Sequence, residues 1–217
     1  MRANESNAET ELTELSEIEI LSRLFEIGGE LRVNAIRILA VGLFYIVELV
    51  NFYGINFLSI EISKVDGLTS DFHLSVTAIA AVWTFLSLGV WFFNQKKLYK
   101  PIVKYIVVGL DMFLLTFLLL IADGPKSPLV VIFFVLVVSA LMRFSLPLLW
   151  FATSAALLGY LGLVVDAKWH RPIHSVPHYH SVIFSLGIVL TGLTLGQVLR
   201  KYRSVLQVGL KEAAGNS

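Results

Sequence analysis

Two carboxylates interrupt apolar stretches of this chain, and their chemistry most needs an explanation. Asp111 lies at the midpoint of residues 102–122, and Glu48 lies within residues 33–53. Each stretch is long enough to cross a bilayer, which takes about 20 residues. An ionisable group at the bilayer centre costs at least about 2.5 kcal/mol on insertion scales. We therefore expect both carboxylates to face protein. They form either a polar site for a ligand or a proton, or hydrogen bonds that fix helix packing.

The predicted polar core includes histidines near one side of the membrane. His73 and His180 begin two other apolar stretches, and Glu48 and Asn51 lie toward the corresponding end of theirs. If these helices adjoin, two imidazoles and a carboxylate converge, as in some transition-metal sites. Otherwise His73 and His180 are interfacial side chains that bind loops or lipid head groups. The interfacial alternative is favoured, so we predict no metal and no cofactor. Without a nearby cation, desolvation favours the neutral form of Glu48 and of Asp111.

Catalytic signatures are missing from the sequence. It contains no G-x-x-x-x-G-K-[ST], no G-x-S-x-G and no H-E-x-x-H, which mark phosphate binding, a nucleophile elbow and a zinc site. It also has no cysteine, which excludes a disulfide framework, a thiolate metal site and a cysteine nucleophile. We predict that the protein is not an enzyme.

The composition is that of a membrane protein. Hydrophobic residues make up 56% of the chain and charged residues 15%, against averages of about 45–50% and about 25% in soluble domains. The predicted fold is an all-α, polytopic bundle of six transmembrane helices within residues 33–200. The predicted spans are residues 33–53, 73–93, 102–122, 128–142, 146–165 and 178–198.

Three local signals refine this bundle. Ser127 and Pro128 suit the cap and the first position of the fourth helix. Residues Ile36, Leu39, Leu43, Ile46 and Val50 share one face of the first span, which we expect to contact lipid. In the sixth span, Gly192 and Gly196 form a G-x-x-x-G spacing that favours close approach of helices.

Two segments flank the predicted membrane domain. Residues 1–32 contain eight glutamates and three arginines. Within them, Thr10–Glu26 has the apolar periodicity of an amphipathic helix with an acidic polar face, which we expect to end at Gly28-Gly29. Residues 201–217 form a short tail.

The distribution of basic residues predicts the orientation. If both termini are cytoplasmic, 13 of the 17 lysines and arginines lie inside, as the positive-inside rule requires. Only Lys64, Lys126, Lys168 and Arg171 then lie outside. Because topology explains these charges, we expect the lipid bilayer and no nucleic acid as a partner.

Three short stretches resemble bacterial six-helix sensory input modules, which precede the catalytic parts of membrane sensor histidine kinases and class III adenylate cyclases. They are Leu31–Ala40, Lys126–Leu129 and Ala140–Phe144. The resemblance covers roughly residues 31–203. It implies a bacterial inner membrane and a helix that leaves the last span to drive a dimeric output domain. Residues 197–211 begin such a helix, but no kinase or cyclase domain follows in this sequence, which implies action through a partner.

Taken together, these features predict a non-enzymatic sensory or regulatory input module that signals to a cytoplasmic or membrane partner. Homodimerisation is left open. One alternative is a small transporter, with or without proton coupling, that uses the same carboxylates. Another is a membrane scaffold that recruits proteins through Gly192, Gly196 and the acidic N-terminal helix.

Overall fold

A computed structural model describes the backbone of residues 2–57, 60–62, 69–95 and 101–215, and the side chains of residues 28–54, 69–92, 102–205 and 208. Within these ranges the chain forms six α-helices and one short antiparallel hairpin. The elements are α1 Arg2–Tyr53, β1 Ile55–Phe57, β2 Ile60–Ile62, α2 Ser70–Gln95, α3 Pro101–Ile121, α4 Ile132–Leu141, α5 Leu146–Trp169 and α6 His178–Gly215. The helical prediction is confirmed, and the hairpin is an addition that the sequence analysis did not predict.

Five of the helices are long and apolar enough to cross a membrane. The qualifying segments are Gly28–Tyr53, Ser70–Phe92, Ile102–Ile121, Leu146–Trp169 and His178–Val205. Their number and length indicate a multi-pass membrane protein.

The fourth predicted span is shorter than the other five. Its α-helix, α4, follows a 3₁₀ turn at Pro128–Val131. At about 2.0 Å per residue in the turn and 1.5 Å in the helix, this segment rises about 23 Å, less than the roughly 30 Å of a hydrocarbon core. The predicted cap is confirmed, because the Ser127 side chain accepts a hydrogen bond from the backbone N–H of Leu129.

The first helix does not end where the sequence predicted. α1 continues through Gly28 and Gly29 as one helix of 52 residues. Gly29 has a different role, because a Cβ there would lie 2.3 Å from the carbonyl oxygen of Met142. This glycine lets α1 approach the turn between α4 and α5. The backbone of Thr10–Glu26 is helical as predicted, while its acidic face lies outside the described side chains.

The hydrophobic core lies between α3, α4 and α5. α5 packs against α3, α4 and α6, while α1 packs against α2, and α2 against α3. The α1–α2 pair therefore flanks the core on one side and α6 flanks it on another. Fully buried side chains of the core include Leu115, Leu119, Phe133, Val137, Leu148 and Leu163.

The face of α1 that the sequence assigned to lipid is largely exposed. Ile36, Leu39, Leu43 and Ile46 are exposed and Val50 is half-buried. On the opposite face Asn34 and Arg37 are buried, and Tyr45, Glu48 and Asn51 are partly buried.

Below, the end of the bundle near Glu30 and Arg143 is called the Glu30 end, and the opposite end, near Glu48 and His73, is called the Glu48 end.

Candidate functional site

Asp111 takes part in a buried polar network that connects three helices. Its Oδ2 accepts hydrogen bonds from Arg37 Nε and Nη2 at 3.1 and 2.7 Å, and its Oδ1 accepts one from Trp83 Nε1 at 2.8 Å. Arg37 Nη1 donates to Asn34 Oδ1, and Asn34 Nδ2 donates to the carbonyl oxygen of Ser87. The network joins α1, α2 and α3.

This geometry identifies the cation that Asp111 requires. The Arg37 and Asp111 side chains are only 5% and 7% exposed, so the pair is almost fully desolvated. An ion pair in such surroundings is retained when other hydrogen bonds satisfy the remaining donors and acceptors, as Asn34 and Trp83 do here. Arg37 is therefore the nearby cation that the sequence analysis did not assign to Asp111.

The sequence analysis missed Arg37 as a site residue. It counted Arg37 as a topological charge, although Asn34, Arg37 and Glu48 lie on one face of α1. That shared face was the available signal, because a basic residue in a stripe that faces protein requires an anionic partner.

Glu48 and His73 lie together at the Glu48 end, as the sequence analysis allowed. Glu48 Oε1 is 3.5 Å from His73 Nδ1. The His73 ring stacks on Phe52 with 4.1 Å between ring centroids. Nearby, the Tyr45 hydroxyl is 3.2 Å from Thr77 Oγ1. These contacts join the C-terminal half of α1 to the start of α2.

His180 does not join this cluster. It is exposed at the start of α6, a helix that packs on α5 and α4. Among the described residues there is no group of three histidine, aspartate or glutamate side chains placed to hold a metal ion. The convergence of His73, Glu48 and His180 therefore does not occur in this arrangement of helices.

A cleft of about 390 Å³ runs along the bundle between the two polar clusters. α1 and α2 form one wall, and α3 and α4 form the other. Arg37 and Asp111 border it toward the Glu30 end, and Glu48, Asn51 and Asp123 border it toward the Glu48 end. The intervening walls are mainly apolar, with Val41, Phe44, Val76, Ile79, Ile132 and Leu136 among them. Three of the five residues predicted for the polar core, Glu48, Asn51 and Asp111, thus share one cavity.

A second buried ion pair ties α1 to the turn after α4. Arg143 Nε lies 2.7 Å from Glu30 Oε1, and Arg143 Nη2 donates to Glu30 Oε2 at 3.0 Å. Both side chains are buried. The sequence analysis did not single out this pair, because its members are 113 residues apart.

The predicted packing glycines contact α5. A Cβ at Gly192 would lie 2.5 Å from Thr153 Oγ1, and one at Gly196 would lie 3.6 Å from the Trp150 ring. The G-x-x-x-G face is therefore buried within the chain. The scaffold alternative stays a prediction.

Comparisons with models of protein families, with curated proteins and with solved structures found no match to this chain. The resemblance to sensory input modules therefore stays a prediction.

Proposed function

We propose that this protein is a non-enzymatic membrane sensory or regulatory module, whose cleft admits an apolar ligand from the bilayer. One observation carries the proposal. The wall of the cleft that α1 forms belongs to a continuous helix that extends from Tyr53 to Arg2, well beyond the segment that could cross a membrane. A helix transmits a rigid-body displacement along its length, so a ligand that separates α1 from α4 would move residues 2–27 as well.

A second helix would report the same change. α6 also continues past its membrane segment, to Gly215. Arg203 on α6 donates to the carbonyl oxygen of Phe144, next to the Arg143 that holds Glu30. α1 and α6 thus converge on one turn at the Glu30 end. In this proposal a cytoplasmic or membrane partner binds the two helical extensions and responds to their relative position.

The topology belongs to the same proposal. We count α4 as a sixth crossing, because it carries the chain from Asp123 at the Glu48 end to Arg143 at the Glu30 end. Six crossings place both termini on one side, which the positive-inside rule makes the cytoplasm. The bacterial inner membrane is the location implied by the resemblance to sensory input modules.

The contacts of Asp111 favour a sensor over a transporter. A transport cycle that uses this carboxylate would have to exchange its partners, and Asp111 already accepts hydrogen bonds from three donors on Arg37 and Trp83. Flux into proteoliposomes that disappears in Asp111→Asn, but persists in the cleft-filling variant below, would instead favour transport.

The test fills the cleft with a larger side chain and measures the distance between α1 and α6. Val135 and Val138 are both exposed on α4, but only Val135 lines the cleft. Because the chain has no cysteine, spin labels can be attached at Gly28→Cys, where a Cβ meets open space, and at exposed Ser204→Cys. We expect Val135→Trp to shift the distance between the labels by about 1–2 Å, the usual scale of helix displacements. Val138→Trp should leave it unchanged.

Recovery of a partner provides the second half of the test. Affinity purification of the full chain from native membranes should recover a signalling protein whose amount changes with Val135→Trp and stays constant with Val138→Trp. If Val135→Trp changes neither the label distance nor the recovered partner, the cleft does not control the helices and the proposal is wrong.

A further inference from the structure

We propose that the ligand of the cleft is an amphiphile with a cationic head group that carries N–H donors, such as a protonated long-chain amine. Its head group binds beside Glu48 and its chain extends toward Arg37. The inference rests on the proposed function and specifies the ligand class of the same site.

The shape of the cleft suits a single long chain. From Val33 to Asn51, the α1 residues that line it span about 27 Å at 1.5 Å per residue. A volume of about 390 Å³ over that length describes a narrow slot. Its walls between the polar ends are mainly apolar, so an alkyl chain would exchange bilayer contacts for protein contacts of similar polarity.

The charge at the Glu48 end selects the head group. Glu48 is 12% exposed in its side chain, and its Oε1 is buried without a hydrogen-bond partner among the described residues. Asp123 provides a second carboxylate at the same end. A buried carboxylate oxygen without a partner is unfavourable, and a cationic head group would supply what it lacks.

Two described basic side chains near this end, Lys126 and Arg171, are already engaged. Lys126 donates to the carbonyl oxygen of Ile173, and Arg171 pairs with Asp166. Each carboxylate has a histidine nearby, with His73 Nδ1 3.5 Å from Glu48 Oε1 and His174 Nδ1 3.7 Å from Asp123 Oδ1. Neither contact has the geometry of a hydrogen bond. Among the described residues that line the cleft, Arg37 is the only lysine or arginine, and it lies about 16 Å along α1 from Glu48. An anionic head group would therefore meet two carboxylates and no available lysine or arginine from the cleft wall.

The polarity of the two ends orients the ligand. Toward the Glu30 end of the cleft, the charges of Arg37 and Asp111 neutralise each other, and Asn34 and Trp83 complete the network. That end therefore offers no net charge to a head group. The charged group of the amphiphile is expected at the Glu48 end, near the membrane surface, where its exposed part remains hydrated.

The experiment uses Trp83, which lines the cleft, as the reporter. The full chain is reconstituted into zwitterionic lipid nanodiscs with its other three tryptophans replaced, as Trp91→Phe, Trp150→Phe and Trp169→Phe. The probe is a primary ammonium amphiphile with a dodecyl chain brominated at its end, because bromine quenches tryptophan fluorescence on contact. Matched probes carry the same chain with a hydroxyl or a sulfate head group, and all are compared at equal concentration in the membrane.

We expect the ammonium probe to half-quench Trp83 at about one tenth of the concentration that the hydroxyl probe requires, the ratio expected for one charge-assisted contact. Glu48→Gln should abolish this preference. Asp71→Asn should preserve it, because Asp71 is an acid on α2 that does not line the cleft. Asp123→Asn, at an exposed position that does not threaten folding, should reduce the preference severalfold.

The outcomes separate this inference from the proposed function. Equal quenching by the ammonium and hydroxyl probes, a preference for the sulfate, or a preference that survives in both Glu48→Gln and Asp123→Asn overturns the cationic ligand. Quenching by the hydroxyl probe in those cases leaves an apolar ligand site intact. If none of the probes quenches Trp83, the cleft does not admit amphiphiles from the bilayer, and the ligand part of the proposed function fails as well.

Discussion

Arg37 on α1 and Asp111 on α3 form a buried ion pair with 2.7 Å between Nη2 and Oδ2, although 74 residues separate them in the chain. The pair joins the α1–α2 flank to the core of the bundle. It also borders the cleft, so the same contact contributes to stability and to the proposed site.

Loss of one partner of this ion pair should lower the free energy of unfolding more than replacement of both partners by apolar residues. Asp111→Asn leaves the Arg37 guanidinium without its anion and should lower the free energy of unfolding by about 3–5 kcal/mol. The double variant Arg37→Met with Asp111→Leu should be more stable than either Arg37→Met or Asp111→Leu alone. Unfolding by SDS in mixed micelles, followed by circular dichroism, measures the difference. If the double variant loses as much as the sum of the single variants, the two side chains are not coupled.

Trp83 should contribute through its hydrogen bond to Asp111. Trp83→Phe keeps an aromatic ring but leaves Asp111 Oδ1 without the donor, and should lower the free energy of unfolding by about 1.5–3 kcal/mol. Trp91→Phe is the matched control on the same helix, because Trp91 is exposed. The same SDS titration applies, and equal effects of the two substitutions would contradict a role for the hydrogen bond.

Substitution of alanine for two adjacent glycines of α1 should change stability in opposite directions. At Gly28 a Cβ meets open space, so Gly28→Ala should stabilise the helix by up to about 1 kcal/mol. At Gly29 a Cβ would meet the backbone carbonyl of Met142 at 2.3 Å. Gly29→Ala should therefore displace α1 and weaken the ion pair between Glu30 and Arg143. Thermal unfolding in detergent compares the two variants, and equal stability would show that α1 does not approach the turn this closely.

In the contact between α5 and α6, a second substitution should restore stability that the first one removes. Gly192→Ala forces a methyl group against Thr153 and should cost about 1–3 kcal/mol in stability, as overpacked cores do. Thr153→Ala removes Oγ1 and Cγ2, the two nearest atoms, and should restore part of the loss. Gly162→Ala on α5 is the control, because a Cβ there meets open space. Unfolding by SDS compares the stability of the unsubstituted chain, Gly192→Ala, Gly192→Ala combined with Thr153→Ala, and Gly162→Ala. A Gly192→Ala variant as stable as Gly162→Ala would mean that this face is free for another contact.

The local sequence patterns predicted much of the secondary structure because helix formation and capping depend on neighbouring residues. Repeats near 3.6 residues predicted the helices and the lipid-facing stripe of α1. Ser127 and Pro128 predicted the start of the fourth segment, and the length of each apolar stretch indicated the membrane helices. The glycines were less informative, because the same residue type ends a helix or permits a close contact. At Gly29 only the position of Met142 distinguishes these roles.

The sequence by itself determined a helical membrane protein whose carboxylates must face protein, because burial of a lone charge in lipid is unfavourable. Only the tertiary structure decided which groups satisfy them. Arg37 meets Asp111 and Glu30 meets Arg143 because of the order in which the helices pack, and a periodicity within one helix carries no information about its neighbours. The same packing placed Glu48 with His73, left His180 apart on α6, and created the cleft between α1 and α4.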